Sequence, residues 1–208
     1  MAVPKLHRPR SRQTGFRLVS VADRIDGPYS HFTALKGPGV DTSLFQNDDG
    51  VTYVVWPRNE INPVDLSRID HDIVTVGPKL SQAATEADFK AIGLPVPETI
   101  EGPFLAKRKG VYYCFFAETN RGPGGSYDTG VATAKSLAGP WQLDPRGRVF
   151  PGGHQALFTG PDGRIWTAYK HEESPNAPWL NIDPVDVDAQ GAVHVTPTTG
   201  PQSVLLPR

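Results

Sequence analysis

Cysteine and long apolar stretches are the scarcest features of this chain of 208 residues. Its single cysteine, Cys114, excludes an intrachain disulfide, and the aromatic neighbours at 112–116 indicate a small buried side chain rather than a catalytic thiol. The sequence has no run of about 18 apolar residues, and residues 1–10 lack the apolar centre of a secretory signal. As written, the chain is predicted to be cytoplasmic. A true start further upstream would leave a secreted or periplasmic location open.

An excess of charge of either sign is also lacking. The formal net charge is −1, so the overall charge favours neither nucleic acid nor a membrane surface as a partner. Basic residues concentrate only at the N-terminus, where Lys5, Arg8, Arg10 and Arg12 precede any acidic residue. A nucleic-acid arm is one interpretation of residues 1–15, but we favour a flexible, solvated basic tail.

Internal repeats are the most informative feature that is present. Segment 41–56 aligns without a gap on 154–169, and Leu-Phe, Asp-Gly and a terminal aromatic residue recur in register. Upstream of these, 19–29 and 131–141 match around a Gly-Pro pair. A weaker third copy, 101–116, begins 60 residues after the first copy and 53 before the second. Periods of roughly 40–50 residues, each with about four strands, are typical of β-propeller blades, and loop insertions explain the excess.

Strand signals dominate the chain between these motifs. Short apolar or alternating runs bounded by turn residues predict strands over 16–22, 44–45, 51–56, 73–76, 111–116, 129–134, 156–158 and 165–169. Another strand and turn are predicted within 180–191. The one predicted helix begins after Thr85, a capping residue with Asp88 three positions on, and ends before Gly93. Because no linker divides the chain, residues 1–208 are predicted to form a single all-β domain.

Each repeat opens on a different ionisable residue: Asp41, Glu101 or His154. These residues occupy equivalent or nearly equivalent positions at the start of the first strand of three successive blades. Because the innermost strands of a propeller face one axis, the three side chains are expected to converge on one funnel. Two carboxylates and an imidazole suit general acid–base chemistry, since neighbouring carboxylates and partial burial separate pKa values. Alone, Asp41 would be interpreted as a turn residue and His154 as a channel histidine.

The order of the motifs resembles that of glycoside hydrolase family 43, which contains β-xylosidases, α-arabinofuranosidases and arabinanases. The resemblance runs from about Phe16 to the C-terminus. It rests on four elements in order: Asp41-Thr-Ser-Leu-Phe with Asp48-Asp-Gly, Glu101-Gly-Pro-Phe-Leu with Tyr112-Tyr, segment 132–141, and Gly153-His154. The family implies a five-bladed β-propeller, of which about three blades lie in this chain. It also implies an inverting hydrolase of O-glycosyl bonds in arabinose- or xylose-containing oligo- or polysaccharides.

The resemblance also implies roles for the three residues. Glu101 matches the general acid that protonates the leaving glycosidic oxygen, and Asp41 matches the carboxylate that orients this acid and raises its pKa. His154 matches the histidine near the axis that, in many members, lies beside a calcium ion or its waters. No cofactor is required for such a reaction, and a structural calcium ion is the one metal that the resemblance suggests.

The general base is the residue that the sequence does not supply. An inverting glycosidase needs a second carboxylate roughly 6.5–9.5 Å from the acid, and the family places it in an Asp-Pro element of the first blade. Upstream of Asp41 only Asp23 and Asp26 are available, and the repeat places both beside a Gly-Pro turn that ends a blade, facing away from the axis. The sequence therefore predicts a truncated member that begins late in the second blade and lacks the base.

Two functional interpretations remain at this point. In the first, the chain binds a carbohydrate substrate as a glycosidase whose missing blades come from upstream sequence or from another chain. In the second, it is a catalytically inactive propeller fragment or a sugar-binding remnant without the general-base aspartate. An open propeller of either kind is expected to expose strand edges and an apolar blade face.

Overall fold

The structure is a computed structural model that describes residues 16–24, 26–37, 39–68, 73–120, 126–172, 178–198 and 200. The predicted basic tail, residues 1–15, lies outside this part of the chain. Within these ranges the chain forms fifteen strands, one short α-helix and one 3₁₀ turn. No helix in the described ranges has the length and apolar character needed to cross a membrane.

The strands and helix have the following bounds: β1 (Phe16–Val21), β2 (Ser30–Lys36), β3 (Ser43–Gln46), β4 (Thr52–Trp56), β5 (Glu60–Val64), β6 (Ile73–Thr75), β7 (Ser81–Gln82), α1 (Glu86–Ala91), β8 (Thr99–Arg108), β9 (Val111–Asn120), β10 (Ser126–Ala134), β11 (Gln142–Pro151), β12 (Gly153–Thr159), β13 (Ile165–Glu172), β14 (Pro178–Val187) and β15 (Val193–Val195). The 3₁₀ turn covers Leu66–Arg68.

Three four-stranded antiparallel sheets follow one another along the chain as propeller blades. Their strand orders are β3-β4-β5-β7 for the first blade, β8-β9-β10-β11 for the middle blade and β12-β13-β14-β15 for the last blade. The inner strand β8 lies between the inner strands β3 and β12. The predicted all-β propeller with about three blades is confirmed, and the described sheets form an open arc rather than a closed ring.

A fourth, partial sheet precedes the first blade. It contains β1, β2 and β6, and the repeat makes β1 and β2 the counterparts of β10 and β11, the outer strands of the middle blade. β6 belongs to the chain segment between β5 and β7, yet it pairs in parallel with β2, with Ile73 opposite Ala34. The chain segment that connects β5 to β7 of the first blade therefore contributes one strand, β6, to the partial sheet.

Tight turns join the strands where the repeat predicts them. Gly50 and Gly163 have φ values of +81° and +76°, which the Asp-Gly hairpins require. Lys109 and Gly110 both have positive φ, at +48° and +77°, as in the mirror-image turns that match the twist of paired strands. Thr85 caps α1, and its side chain exchanges hydrogen bonds with Asp88 as predicted.

The core lies between blades in three clusters, and β9 contributes to two of them. Phe116 packs with Val55 and Ile61 of the first blade, whereas Phe115 packs with Val185 and other residues of the last blade. Successive side chains of a strand point to opposite faces, so a strand buried on both faces is apolar throughout. This explains the continuous aromatic run in the sequence, including Cys114, which is fully buried as predicted.

Both ends of the arc expose an apolar sheet face. On the partial sheet, Leu18 and Phe32 are 71% and 66% exposed and Ile73 is also exposed. On the last blade, Leu180 and Ile182 are exposed on β14. Exposed apolar side chains on one face of a sheet are typical of a surface that can contact other protein.

Candidate active site

Three chain positions at the starts of the inner strands share an unusual backbone conformation. Asp41, Gly102 and His154 have φ values of +56°, +54° and +52°. The structural repeat therefore equates Gly102, rather than Glu101, with Asp41 and His154, and Glu101 stands one residue earlier. A positive φ is uncommon outside glycine, although Asp and His tolerate it better than most residues. Its recurrence in three blades indicates that the fold imposes this turn to aim the side chains around it.

Irregular pairing at these positions is compensated by side-chain hydrogen bonds between blades. The register of β8 against β9 shifts between Glu101 and Phe104. The carbonyl of Gly102 accepts a hydrogen bond from Nε2 of Gln155 on the last blade, at 3.0 Å. The carbonyl of Pro103 accepts one from the hydroxyl of Ser43 on the first blade, at 2.7 Å. These bonds hold the start of β8 at a defined position between its two neighbours.

The structure brings Asp41, Glu101 and His154 together, with the imidazole in the middle. Nε2 of His154 lies 3.4 Å from Oδ1 of Asp41, and Nδ1 lies 4.0 Å from Oε1 of Glu101. The side chains are 26%, 32% and 37% exposed for Asp41, Glu101 and His154 respectively, so all three remain accessible to a ligand. Such a cluster can exchange protons with a bound molecule and hydrogen-bond its hydroxyl groups.

Tyr127 belongs to the same cluster, although it lies outside the repeated segments of the sequence. It lies on β10 of the middle blade, its ring stacks on the imidazole of His154 with a centroid distance of 6.1 Å, and its hydroxyl hydrogen-bonds Nδ1. Glycines make room for these rings. A Cβ on Gly102 would lie 3.1 Å from the His154 ring, and one on Gly153 would lie 3.0 Å from the Tyr127 ring.

A second pair of carboxyl groups lies on the opposite face of the middle blade. Glu118 and Asp128 are opposite each other on β9 and β10, and both are buried. Arg148 forms an ion pair with Asp128 at 2.8 Å. Burial, together with the charge of Asp128, raises the pKa of Glu118 to about 7. The sequence signal for this pair is a carboxylate at the end of an apolar strand, and this pattern belongs to none of the repeated motifs.

The side chains around His154 do not form a direct calcium site. Calcium prefers six to eight oxygen ligands, and His154 offers only nitrogens. Its Nδ1 is hydrogen-bonded to the Tyr127 hydroxyl, and its Nε2 faces Asp41. In the described part of the chain, no three His, Cys, Asp or Glu side chains are grouped so as to hold a metal ion. A structural calcium ion near the axis stays a prediction, and we assign no chemical step to it.

Neither aspartate upstream of Asp41 was predicted to act as the base. Of these two, Asp26 lies in the turn that follows β1, exposed, where it pairs with Arg24 at 2.9 Å. The charge of Asp26 is therefore already balanced by Arg24 and by solvent, as expected for a surface ion pair. The lack of a base within the chain remains a prediction.

An arc of four-stranded blades, with two carboxylates and a histidine at its inner strands, is the architecture of a propeller glycosidase. The chain belongs to Glycosyl hydrolases family 43, whose sequence model matches residues 7–193. The predicted family is thereby confirmed.

Individual relatives agree with this assignment. Xylosidase/arabinosidase 43B of Humicola insolens is 26% identical over 170 residues, which cover 73% of this chain and 30% of the relative. Beta-D-galactofuranosidase xynD of Aspergillus niger is 27% identical over 166 residues, or 74% of this chain and 43% of the relative. The chain thus spans less than half the length of these relatives.

The fold is similar to that of a solved family member. The crystal structure of BlXynB, a family 43 protein from Bacillus licheniformis, superposes with a TM-score of 0.68 at 22% sequence identity. The superposition covers 86% of this chain and 36% of that one. At this level of identity the comparison supports the propeller fold alone.

Proposed function

We propose that this chain carries the acid half of an inverting glycosidase that acts on xylose- or arabinose-containing glycans. Glu101 is the general acid, Asp41 orients it, and an aspartate from outside this chain is the base. The observation that carries the proposal is the meeting of Asp41 and Glu101 on the two sides of His154. Membership of family 43 supports the reaction class.

The positions of the two carboxylates fit a division of roles. Glu101 precedes the Gly102 turn, and that turn is anchored by Gln155 and Ser43, so its side chain projects from a rigid strand start. A general acid must hold its proton within hydrogen-bond reach of the leaving oxygen, and this reach depends on such rigidity. Asp41 reaches the same imidazole from the neighbouring blade. Its proposed effect on Glu101 is therefore that of a carboxylate charge acting across the imidazole ring.

The base and the substrate pocket are completed by further protein surface. The exposed apolar faces of the partial sheet and the last blade support additional blades, supplied by upstream sequence or by another chain. Pentose substrates are favoured by the name of the Humicola insolens relative, a xylosidase/arabinosidase. The Aspergillus niger relative is named for galactofuranose, so a β-galactofuranoside is the second substrate to examine.

Hydrolysis of aryl β-xylosides and α-arabinofuranosides tests the proposal, measured on the purified chain alone and on the chain supplied with the protein surface that carries the base. A series of leaving groups should be used, with circular dichroism and sizing on the same samples. Glu101→Gln should reduce hydrolysis most on poor leaving groups, because these need the proton most. The matched control is Glu86→Gln, which removes an exposed carboxylate on α1. An equal loss on all leaving groups would count against the acid role of Glu101.

A folded chain without hydrolytic activity calls for a binding measurement. If xylo- or arabino-oligosaccharides shift the NMR signals of His154, the chain holds the acid half of the site without its base. The absence of hydrolysis and of binding, both for the chain alone and for the chain supplied with the surface that carries the base, would refute the proposed function and favour an inactive fragment.

A further inference from the structure

We propose that Tyr127 is a positioning residue that fixes His154 in the tautomer with the proton on Nε2. In this arrangement the protonated Nε2 faces Asp41 at 3.4 Å, and the unprotonated Nδ1 lies on the side of Glu101. Only the catalytic consequence of this inference rests on the proposed function. The tautomer itself can be measured in the absence of any substrate.

The register of the middle blade brings Tyr127 to the site. Glu101 is opposite Ala117 on β9, and Tyr127 is opposite Thr119, two residues further along the same strand. Residues two apart on a strand share a face, so Tyr127 and Glu101 lie on the same side of the blade. That side packs against β12, where His154 begins the last blade.

The cluster has the close packing of a built site. The stacked rings of Tyr127 and His154 are inclined by 24°, and the ammonium of Lys170 lies 5.2 Å from the centre of the tyrosine ring. Lys170 is itself opposite Gly153 in the last blade. Glycine at 102 and 153 provides the space in which the two rings lie. The tyrosine is therefore held by ring contacts as well as by its hydroxyl.

Donor and acceptor rules decide which tautomer this geometry supports. An ionised carboxylate only accepts hydrogen bonds, so the nitrogen that faces Asp41, Nε2, carries the proton. In a neutral imidazole Nδ1 is then an acceptor, and the Tyr127 hydroxyl is its donor. The opposite tautomer would place two acceptors against each other at 3.4 Å, between Nε2 and Asp41.

The catalytic consequence concerns the proton of Glu101. With the proton on Nε2, no imidazole N–H points toward the Glu101 carboxyl group, which lies 4.0 Å from Nδ1. The imidazole then does not compete as a donor for the carboxyl oxygens. The carboxyl proton stays available for a leaving oxygen because Nδ1, the acceptor on that side of the ring, is already occupied by the Tyr127 hydroxyl, while Asp41 lies on the far side.

Nitrogen-15 NMR of the imidazole rings tests the inference directly. Spectra of the 208-residue chain at about pH 8 distinguish protonated from unprotonated ring nitrogens, and His154→Gln assigns the relevant signals. The expected wild-type spectrum has a protonated Nε2 and an Nδ1 that is unprotonated but hydrogen-bonded. Tyr127→Phe should move the Nδ1 signal toward that of a free nitrogen and increase the population of the other tautomer.

The control is Tyr112→Phe, which removes the hydroxyl that donates to Asn47 at 2.9 Å and leaves the site intact. This variant should not change the His154 signals. A wild-type spectrum with the proton on Nδ1 would overturn the inference, and this result does not depend on whether Tyr127→Phe folds. Unchanged signals in a folded Tyr127→Phe variant would overturn it as well. A chain with the expected tautomer but no hydrolysis or sugar binding would refute the proposed function alone.

Discussion

Raising the pH from 4.5 to 8 is expected to destabilise the fold through the carboxyl group of Glu118. This side chain is buried between the first and middle blades, and one of its oxygens has no hydrogen-bond partner. Asp128 lies opposite on β10 and is itself paired with Arg148. Ionisation of Glu118 would place a second negative charge in this buried position, and that charge would lack a partner of its own.

The sign and size of this change in the free energy of unfolding follow from the pKa of Glu118, which rises from 4.5 to about 7 on folding. Below pH 4.5 the folded and unfolded chains both bind the proton. Between pH 4.5 and 7 the unfolded chain releases it while the folded chain retains it, so the free energy of unfolding falls as the pH rises. The change levels off above pH 7. At about 1.4 kcal/mol per pH unit, the total is about 3 kcal/mol.

Glu118→Gln isolates this effect, because the amide keeps the shape and cannot ionise. Urea denaturation of the wild type and the variant should be followed between pH 4.5 and 8. Other carboxylates affect both proteins equally, so the difference between the two should change by about 3 kcal/mol in favour of the variant. Glu86→Gln, on the exposed face of α1, should track the wild type. A wild-type–variant difference that stays constant across this pH range would refute the argument.

Three further substitutions or reagents test other parts of the structure. Gly102→Ala would place a Cβ 3.1 Å from His154 at a residue with a positive φ. Chemical denaturation should report a free energy of unfolding lower by about 2 kcal/mol. Unchanged NMR signals of His154 would contradict the predicted crowding. Thr85→Ala removes the N-cap of α1 and should lower the free energy of unfolding by about 1 kcal/mol. An unchanged thermal unfolding temperature would show that the cap does not stabilise the fold. Burial raises the pKa of Cys114, so a thiol reagent should label the chain only after unfolding; rapid native labelling would contradict this burial.

The repeat was sufficient to predict the blade architecture, but several strands lacked a recognisable signal. β2, β5 and β11 contain polar residues or proline, and the sequence pattern predicts none of these three strands. β5 carries Pro63, and β11 carries Pro145 and Gly147 and shifts register twice against β10. Such segments become strands because a neighbouring strand pairs with them, which intrinsic β-propensity does not report.

Some residues of the candidate site could likewise be predicted from the sequence, and others could not. Asp41, Glu101 and His154 could be predicted because they open repeated segments, and repeated segments occupy equivalent places in a propeller. Tyr127 and Glu118 belong to no repeat. Their places depend on the register of β9 against β10 and on the packing of one blade on the next, and neither is encoded in a local pattern. The shift of the middle repeat by one residue, to Gly102, likewise appears only in backbone angles.

The exchange of β6 into the partial sheet also determines how this part of the molecule carries mechanical load. The segment leaves the first blade after β5, pairs in parallel with β2 through Ile73, Val74 and Thr75, and returns to the first blade at β7. Tension that separates the partial sheet from the first blade must therefore shear this backbone ladder in addition to parting two apolar faces. The two sheets are therefore expected to act as one unit under force, because a ladder of main-chain pairing joins them in addition to packed side chains.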